Sequence, residues 1–353
     1  MKQLKAFVLL ILLTAIVVHA KAQETTFLLK DDKQIEKLLK DNHIPALGVG
    51  IIKEGKLTQV KMFGELKAGT PAPYNTIFGV ASLTKPVVAM LTLKLVDLGQ
   101  WKLDEPLANY WIDPEVKNDP RHKKLTTRHV LSHQTGFPNW RWMHATKKLT
   151  FDFEPGTKFS YSGEGFEYLR KALEKKFKKP LDQLCDSLLF KPLGMTDSRF
   201  VWDHSIDESR FALWHDKDGN HTHPTVRHKE LNAAANLLTT IEDYGRFGAW
   251  VINGAALSEH LFKDITTSQS TIDKASDMGL GWFLYNNLGN GEYAMLHTGI
   301  DPGRRTLILL FPKSKQGLIV MTNSDNGNQV YEKLISATFH DLGKAFIDKI
   351  NER

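Results

Sequence analysis

Between residues 31 and 42 the apolar positions Ile35, Leu38 and Leu39 fall three and four apart, the spacing that gathers side chains on one face of an α-helix. The period then changes. Residues 46–52 and 56–63 read as two strands joined by a turn at Glu54-Gly55, a hairpin. From Ser82 to about residue 98 the helical spacing returns through Val88, Leu91, Leu95 and Leu98. Pro86 falls in the first turn, where a missing N–H costs little, and Gly99 stops the helix. Further helices are predicted at 126–133, 164–178, 181–190 and 241–252. Phe166, Leu169, Leu173 and Phe177 give the 164–178 helix its inner face. The last is opened by Thr239-Thr240 with Glu242 and Asp243 in its first turn. Residues 200–230 carry no period and read as loops. Strand pattern resumes at 281–285, 293–298, 305–311 and 318–323, and one closing helix is predicted over 329–350. Strands at both ends and helices between them predict an α/β (α+β) fold. One antiparallel sheet of about five or more strands comes from residues 23–80 and 276–353, flanked by the terminal helices. A mostly helical domain, 81–275, is inserted, with the site at the interface.

The first 22 residues stand apart. Lys2 and Lys5 precede an apolar run from Ala6 to Val18, broken only by Thr14, and Ala20-Lys21-Ala22 follows. That is the architecture of a cleaved secretory signal, and the run is short for a membrane span. The expectation is an exported chain, periplasmic or extracellular, with no stable membrane span once the signal is removed. Removing residues 1–22 takes away three lysines and no acid, so the formal net charge of +6 becomes +3. No basic block is interleaved with aromatics, so nucleic acid is not an expected partner. The single cysteine, Cys185, excludes an intramolecular disulfide and reads as a buried thiol. The expected partner is a small-molecule or peptide substrate; oligomeric state is not legible.

Three short motifs carry candidate chemistry. Ser82-Leu83-Thr84-Lys85 places a serine and a lysine three apart at a helix start, on one face. A serine needs an adjacent base to act as a nucleophile, and a desolvated lysine supplies one. The same four residues also fit an N-cap serine with a solvated lysine. Tyr161-Ser162-Gly163 follows a Pro155-Gly156 turn and precedes a helix, where a phenol can relay protons or simply pack. His297-Thr298-Gly299 lies on a predicted strand whose glycine admits close approach of a backbone. The histidine either works near the reaction centre or faces solvent. The N–H of Ile300, paired with that of Ser82, is a candidate oxyanion site. Gly50-Ile51-Ile52-Lys53-Glu54-Gly55-Lys56-Leu57 nearly matches a phosphate loop, but Leu57 stands where a magnesium-reaching hydroxyl is required, so it reads as a hairpin.

In order and spacing, these three motifs resemble those of the serine β-lactamase and penicillin-binding-protein superfamily. The class C branch, with its esterases and D-amino-acid peptidases, is the most similar. Residues 130–138, 153–161, 236–247, 279–282 and 297–303 agree as well, and the resemblance spans about 30–345. It implies acyl transfer through a serine ester with no cofactor and no metal. Ser82 is then the nucleophile, Lys85 and Tyr161 share the base role, and His297 completes the catalytic set. Ser82 and Ile300 hold the oxyanion, with Thr298, Gly299 and Gly163 facing substrate. Two departures weaken a β-lactam reading. Gly163 replaces an asparagine that holds the substrate's acylamide, and His297 replaces a lysine near the substrate carboxylate. Arg304 or Arg305 is an alternative carboxylate anchor, or faces solvent.

An exported esterase or small-peptide hydrolase is therefore expected, ahead of a β-lactamase or DD-carboxypeptidase. A non-catalytic binding protein of the same fold is the reading of another kind. A metal hydrolase built on His215, His221, His223 and His228 lacks a helical His-Glu-x-x-His pattern and a clear carboxylate. The loop 137–144, rich in large side chains around Trp140 and Trp142, either walls the cleft or packs on the helical domain.

Overall fold

The computed structural model describes residues 32–67 and 69–352. The predicted signal at 1–22 lies outside them. Strands β1 (Ala46–Lys53) and β2 (Lys56–Lys67) form the expected hairpin, extended by a short β3 (Thr70–Pro71). A two-residue pair, β4 (Phe78–Gly79) and β5 (Leu238–Thr239), stands apart. The C-terminal third adds β6 (Ser270–Thr271), β7 (Asp277–Met278), β8 (Phe283–Tyr285), β9 (Ala294–Asp301), β10 (Arg304–Phe311) and β11 (Gln316–Thr322). Nine strands run in the order β3-β2-β1-β11-β10-β9-β8-β7-β6, with antiparallel pairing throughout. The first strands of the chain thus pair with its last one, Val49 opposite Val320.

Helices cover both faces, which is why β10 and β11 read as almost unbroken apolar runs. Leu307, Leu309 and Phe311 alternate with Ile308 and Leu310 along β10, and the two sets enter different cores. The first set meets α1 (Asp32–Asp41), whose Ile35, Leu38 and Leu39 are buried as the spacing predicts. The second set meets the helical region, where α2 (Thr84–Asp97) is buried around nearly its whole circumference. The region also holds α3 (Thr127–Leu131), α4 (Gly163–Phe177), α5 (Leu181–Cys185), α6 (Ile241–Ile252) and α7 (Glu259–Ile265). Helix α6 lies close on the sheet because β1 offers Gly48: a Cβ there would come within 2.5 Å of Ile241. Cys185 is buried and free, and desolvation pushes its thiol pKa up, as fits a packing residue.

One expectation is corrected. The closing helix is not single. It breaks into α8 (Tyr331–Phe339) and α9 (Asp341–Ile350) at His340, whose φ of +51° cannot continue a helix. The break turns α9 back against α8, where a Cβ on Gly343 would sit 2.6 Å from the Ile335 carbonyl oxygen. Phe346 thereby reaches Tyr285 on β8, ring centroids 5.2 Å apart. Residues 200–230 do lack long elements, yet they carry their own core, in which Trp202, Phe211 and Trp214 stack edge to face. Among the described residues no helix is long and apolar enough to cross a membrane.

Phe346 is fully buried and touches Tyr285 and Phe311. Phe346→Ala should cost about 3–5 kcal/mol, read as a lower urea midpoint with an unchanged slope.

Candidate active site

The β4–β5 pair sets the geometry of the serine turn. Val80 N–H donates to Leu237 O at 3.0 Å, and the chain then bends through Ala81 at φ +48°. A left-handed alanine costs about 1–2 kcal/mol and persists only where its neighbours hold it. Here Thr84 Oγ1 donates to Ala81 O at 2.6 Å and Thr306 Oγ1 to Val80 O at 3.0 Å. One 3₁₀ turn, Ala81–Leu83, leads into α2. Ser82 therefore sits on the 3₁₀ turn rather than on the α-helix, but the three-residue spacing still aligns it with Lys85.

Lys85 Nζ donates to Ser82 Oγ at 3.0 Å and to Ala234 O at 2.9 Å. It also lies over the Tyr161 ring, 4.7 Å from its centroid. Its side chain is buried, and desolvation lowers its pKa to about 7 against weaker attraction from Asp301 and Glu167. Burial raises the Tyr161 pKa well above its ordinary value, opposed by a hydrogen bond with Ser82. His297 is buried and lowered to about 3 by desolvation and by the Lys85 charge, so its ring is neutral. Its Nδ1 lies 2.9 Å from Thr298 O, which can only accept, so Nδ1 carries the proton. Nε2 is then a lone-pair nitrogen, buried and without a hydrogen bond.

These groups open onto a cleft of about 670 Å³ lined by Ser82, Lys85, Tyr161, His297, Thr298 and Ile300. Gly299 is required where β9 passes the serine. A Cβ there would fall 2.2 Å from both Val80 O and Thr306 Oγ1, and 3.3 Å from Ser82 N. Gly163, by contrast, does not face the cleft. It is buried at the start of α4, and a Cβ on it would lie 2.7 Å from the Trp140 ring. The loop carrying Trp140 and Trp142 walls the cleft instead. The carboxylate anchor is also corrected. Arg304 stacks on Trp214 at 3.9 Å and pairs with Asp301. Arg305 donates to the carbonyls of Asp301 and Arg304, and neither arginine lines the cleft.

Three supporting residues had no sequence signal assigned to them. Ala234 fixes Lys85 through its carbonyl. Glu167, paired with Arg170, accepts from Ala233 N at 2.6 Å and so steadies that carbonyl. His133 brackets Tyr161: its carbonyl accepts from Ser160 N at 2.7 Å and its Nδ1 from Ser162 N at 3.1 Å. Its ring lies on the Tyr161 ring, centroids 4.3 Å apart. Of the three, only His133 falls in a segment that resembles the superfamily, 130–138, and that resemblance does not say which atom works.

No three His, Cys, Asp or Glu side chains among the described residues gather as a metal site. His223 bonds Asp325 at 2.7 Å, and His215 turns to Asn323.

The fold and this constellation are those of the β-lactamase-like serine hydrolases. The chain belongs to the beta-lactamase family, whose model matches residues 32–340. Protein flp of Staphylococcus aureus (strain N315) is 24% identical over 319 residues, covering 83% of this chain and 62% of that protein. Esterase EstB of Burkholderia gladioli is 26% identical over 217 residues, covering 52% of this chain and 54% of the esterase. The chain thus spans under two thirds of the length of these curated relatives. Among solved structures, the octameric penicillin-binding protein homologue from Pyrococcus abyssi superposes with a TM-score of 0.74 at 23% identity, over 85% of this chain and 74% of that one. A D-stereospecific amidohydrolase from Streptomyces sp. gives 0.70 at 20% identity, over 88% and 98%.

The depressed Lys85 pKa has a stability consequence. The unfolded chain binds a proton on this amine up to pH about 10.5, while the folded chain releases it near 7. The penalty is full below about 7, shrinks as pH rises, and vanishes above the unfolded value. Lys85→Met should therefore be more stable than the wild type at pH 6, by several kcal/mol at most. That advantage should fade toward pH 10, measured by urea unfolding across the range.

Proposed function

We propose that this chain is an exported serine hydrolase that cleaves an ester or small amide through an acyl-enzyme. The observation that carries this is the 3.0 Å contact between the Ser82 hydroxyl and a buried Lys85 amine with a pKa of about 7. An amine near neutrality is half unprotonated at physiological pH and can take the serine proton as the hydroxyl attacks a carbonyl carbon. Tyr161 is a poorer base in the resting site, because burial holds it protonated. It suits the next step, giving a proton to the leaving group; the proton that Lys85 took from the serine then returns to the phenolate oxygen. The N–H groups of Ser82 and Ile300 are the donors for the oxyanion, favoured by the close passage of β9 at Gly299. Water then hydrolyses the ester by the same groups in reverse. No step requires a cofactor.

The family resemblance to an esterase and an amidohydrolase supports this substrate class. A β-lactamase or DD-carboxypeptidase is the second reading. It is disfavoured by a neutral His297 and by two arginines turned from the cleft. The charged, apolar and small-residue order of residues 1–22 supports export.

Ser82→Ala should lower kcat on a short-chain nitrophenyl ester by about a thousandfold or more and abolish fluorophosphonate labelling. Full activity in this variant, or EDTA-sensitive turnover, would reject the serine mechanism. An unlabelled, inactive wild type would point to a binding protein. A chromogenic cephalosporin and a D-Ala-D-Ala peptide should be poor substrates.

The pH profile follows from Lys85. Because the neutral amine is the active form, kcat/KM should rise about tenfold per pH unit below 7 and level above it. His297→Lys places a cation beside Lys85, disfavours its protonation further, and should move this acid limb to lower pH. A limb that stays fixed would mean that another group governs it.

A further inference from the structure

Resting on the hydrolase reading, the wall of the cleft points to the substrate's shape. Trp140 and Trp142 stack with ring centroids 4.6 Å apart and planes 13° from parallel, and both line the cleft that holds Ser82. Trp142 is 57% exposed, and Ile300, also in the lining, is 66% exposed. Large apolar side chains held open to water beside a reactive serine mark a ligand surface. The surface is rigid. Between the two tryptophans, Arg141 is bound by Glu164 at 2.8 Å, Asp113 at 2.9 Å and Glu115 at 2.9 Å. Its backbone N–H is held by Glu164 as well, at 2.9 Å. Gly163 leaves the room that Trp140 fills.

Asn139 adds a polar group to this wall. Its carbonyl and its Oδ1 both accept from the Gly163 N–H at 3.0 Å, and the carbonyl accepts from Glu164 N as well. That fixes the carboxamide with its oxygen on the start of α4. The Nδ2 group, on the other side, makes no hydrogen bond to the described residues, and Asn139 lines the cleft.

We propose that Asn139, Trp140 and Trp142 form a subsite for an aromatic ring carried by the substrate beside a carbonyl oxygen. The ring lies on the indole pair and the oxygen accepts from Asn139 Nδ2. The preferred substrates are therefore aryl-bearing esters or amides rather than short aliphatic ones.

The test compares ethyl hippurate, with the ring on the acyl side, and benzyl acetate, with the ring on the alcohol side. Ethyl acetate is the reference, and all three are followed by pH-stat. Relative to wild type, Trp142→Ala should lower the kcat/KM ratio of at least one aryl ester to ethyl acetate about tenfold, chiefly through KM. The ester affected identifies the side of the scissile bond. Asn139→Asp keeps the oxygen that caps α4 but removes the donor. It should lower the ethyl hippurate ratio several-fold, because only that ester carries a carbonyl besides the scissile one. Ratios unchanged in both variants would overturn the subsite. A binding arm separates this outcome from failure of the hydrolase reading. In the Ser82→Ala protein, ligand-observed NMR should detect ethyl hippurate or benzyl acetate, and Trp142→Ala added to that background should weaken the contact about tenfold. Absence of binding that depends on Trp142 would overturn the inference whether or not the wild type turns esters over.

Discussion

A lysine amine buried against one serine hydroxyl is the constraint on which the site depends. Lys85 enters the interior on α2, a helix with almost no solvent face. A buried ammonium is costly, so the fold must satisfy it or strip its proton. It does some of each. Two acceptors, Ser82 Oγ and Ala234 O, hold the amine, and the ring faces of Tyr161 and Phe166 lie near it. No carboxylate contacts it, so desolvation prevails and the amine approaches neutrality. A close ion pair would have kept it charged and useless as a base.

Each support of that arrangement comes from a different part of the chain. The serine turn is held from the residue before β5 and from β10, through Leu237 and Thr306. Ala234 is held by Glu167 on α4, and Tyr161 by His133 at the end of α3. The strained Ala81 is tolerable because these contacts over-determine it. The sheet closes the set. Pairing β1 with β11 joins the two ends of the chain, so β9 and its Gly299 arrive beside a serine more than two hundred positions earlier.

The periodic elements were legible because their burial has one cause. Ile35, Leu38 and Leu39 share a face, and that face meets the sheet. The Ser82–Lys85 pairing was legible for the same reason: three-residue spacing survives a change from α to 3₁₀ geometry. What failed depended on events elsewhere in space. The break at His340 answers to where Phe346 must pack, which no local pattern encodes. Arg304 carried the right charge for an anchor, yet Trp214 and Asp301, distant or adjacent in the chain, claim it. Ala234 and His133 act through backbone atoms or a fixed tautomer, and side-chain chemistry read from sequence does not register either.

Gly163 shows how such a misreading resolves into specificity. Viewed along the chain, it is a position that has lost a side chain and with it a contact to substrate. In space the loss admits Trp140, and the start of α4 is capped by Asn139 from the same neighbouring loop. A helix N-terminus needs acceptors for its free N–H groups, and Asn139 meets that need with oxygen alone. The nitrogen of the same amide is left over, beside two stacked indoles. On the proposed subsite, recognition moves from the start of α4, two residues after Tyr161, to the loop that packs on it. A loop can be retuned without disturbing the base, whereas a side chain two residues from Tyr161 cannot. The nucleophile and its lysine are fixed by burial on all sides; the wall that faces them is fixed by Arg141 with its three carboxylates and by Asn139 on the start of α4, and on the proposed subsite it is there that substrate choice has room to change.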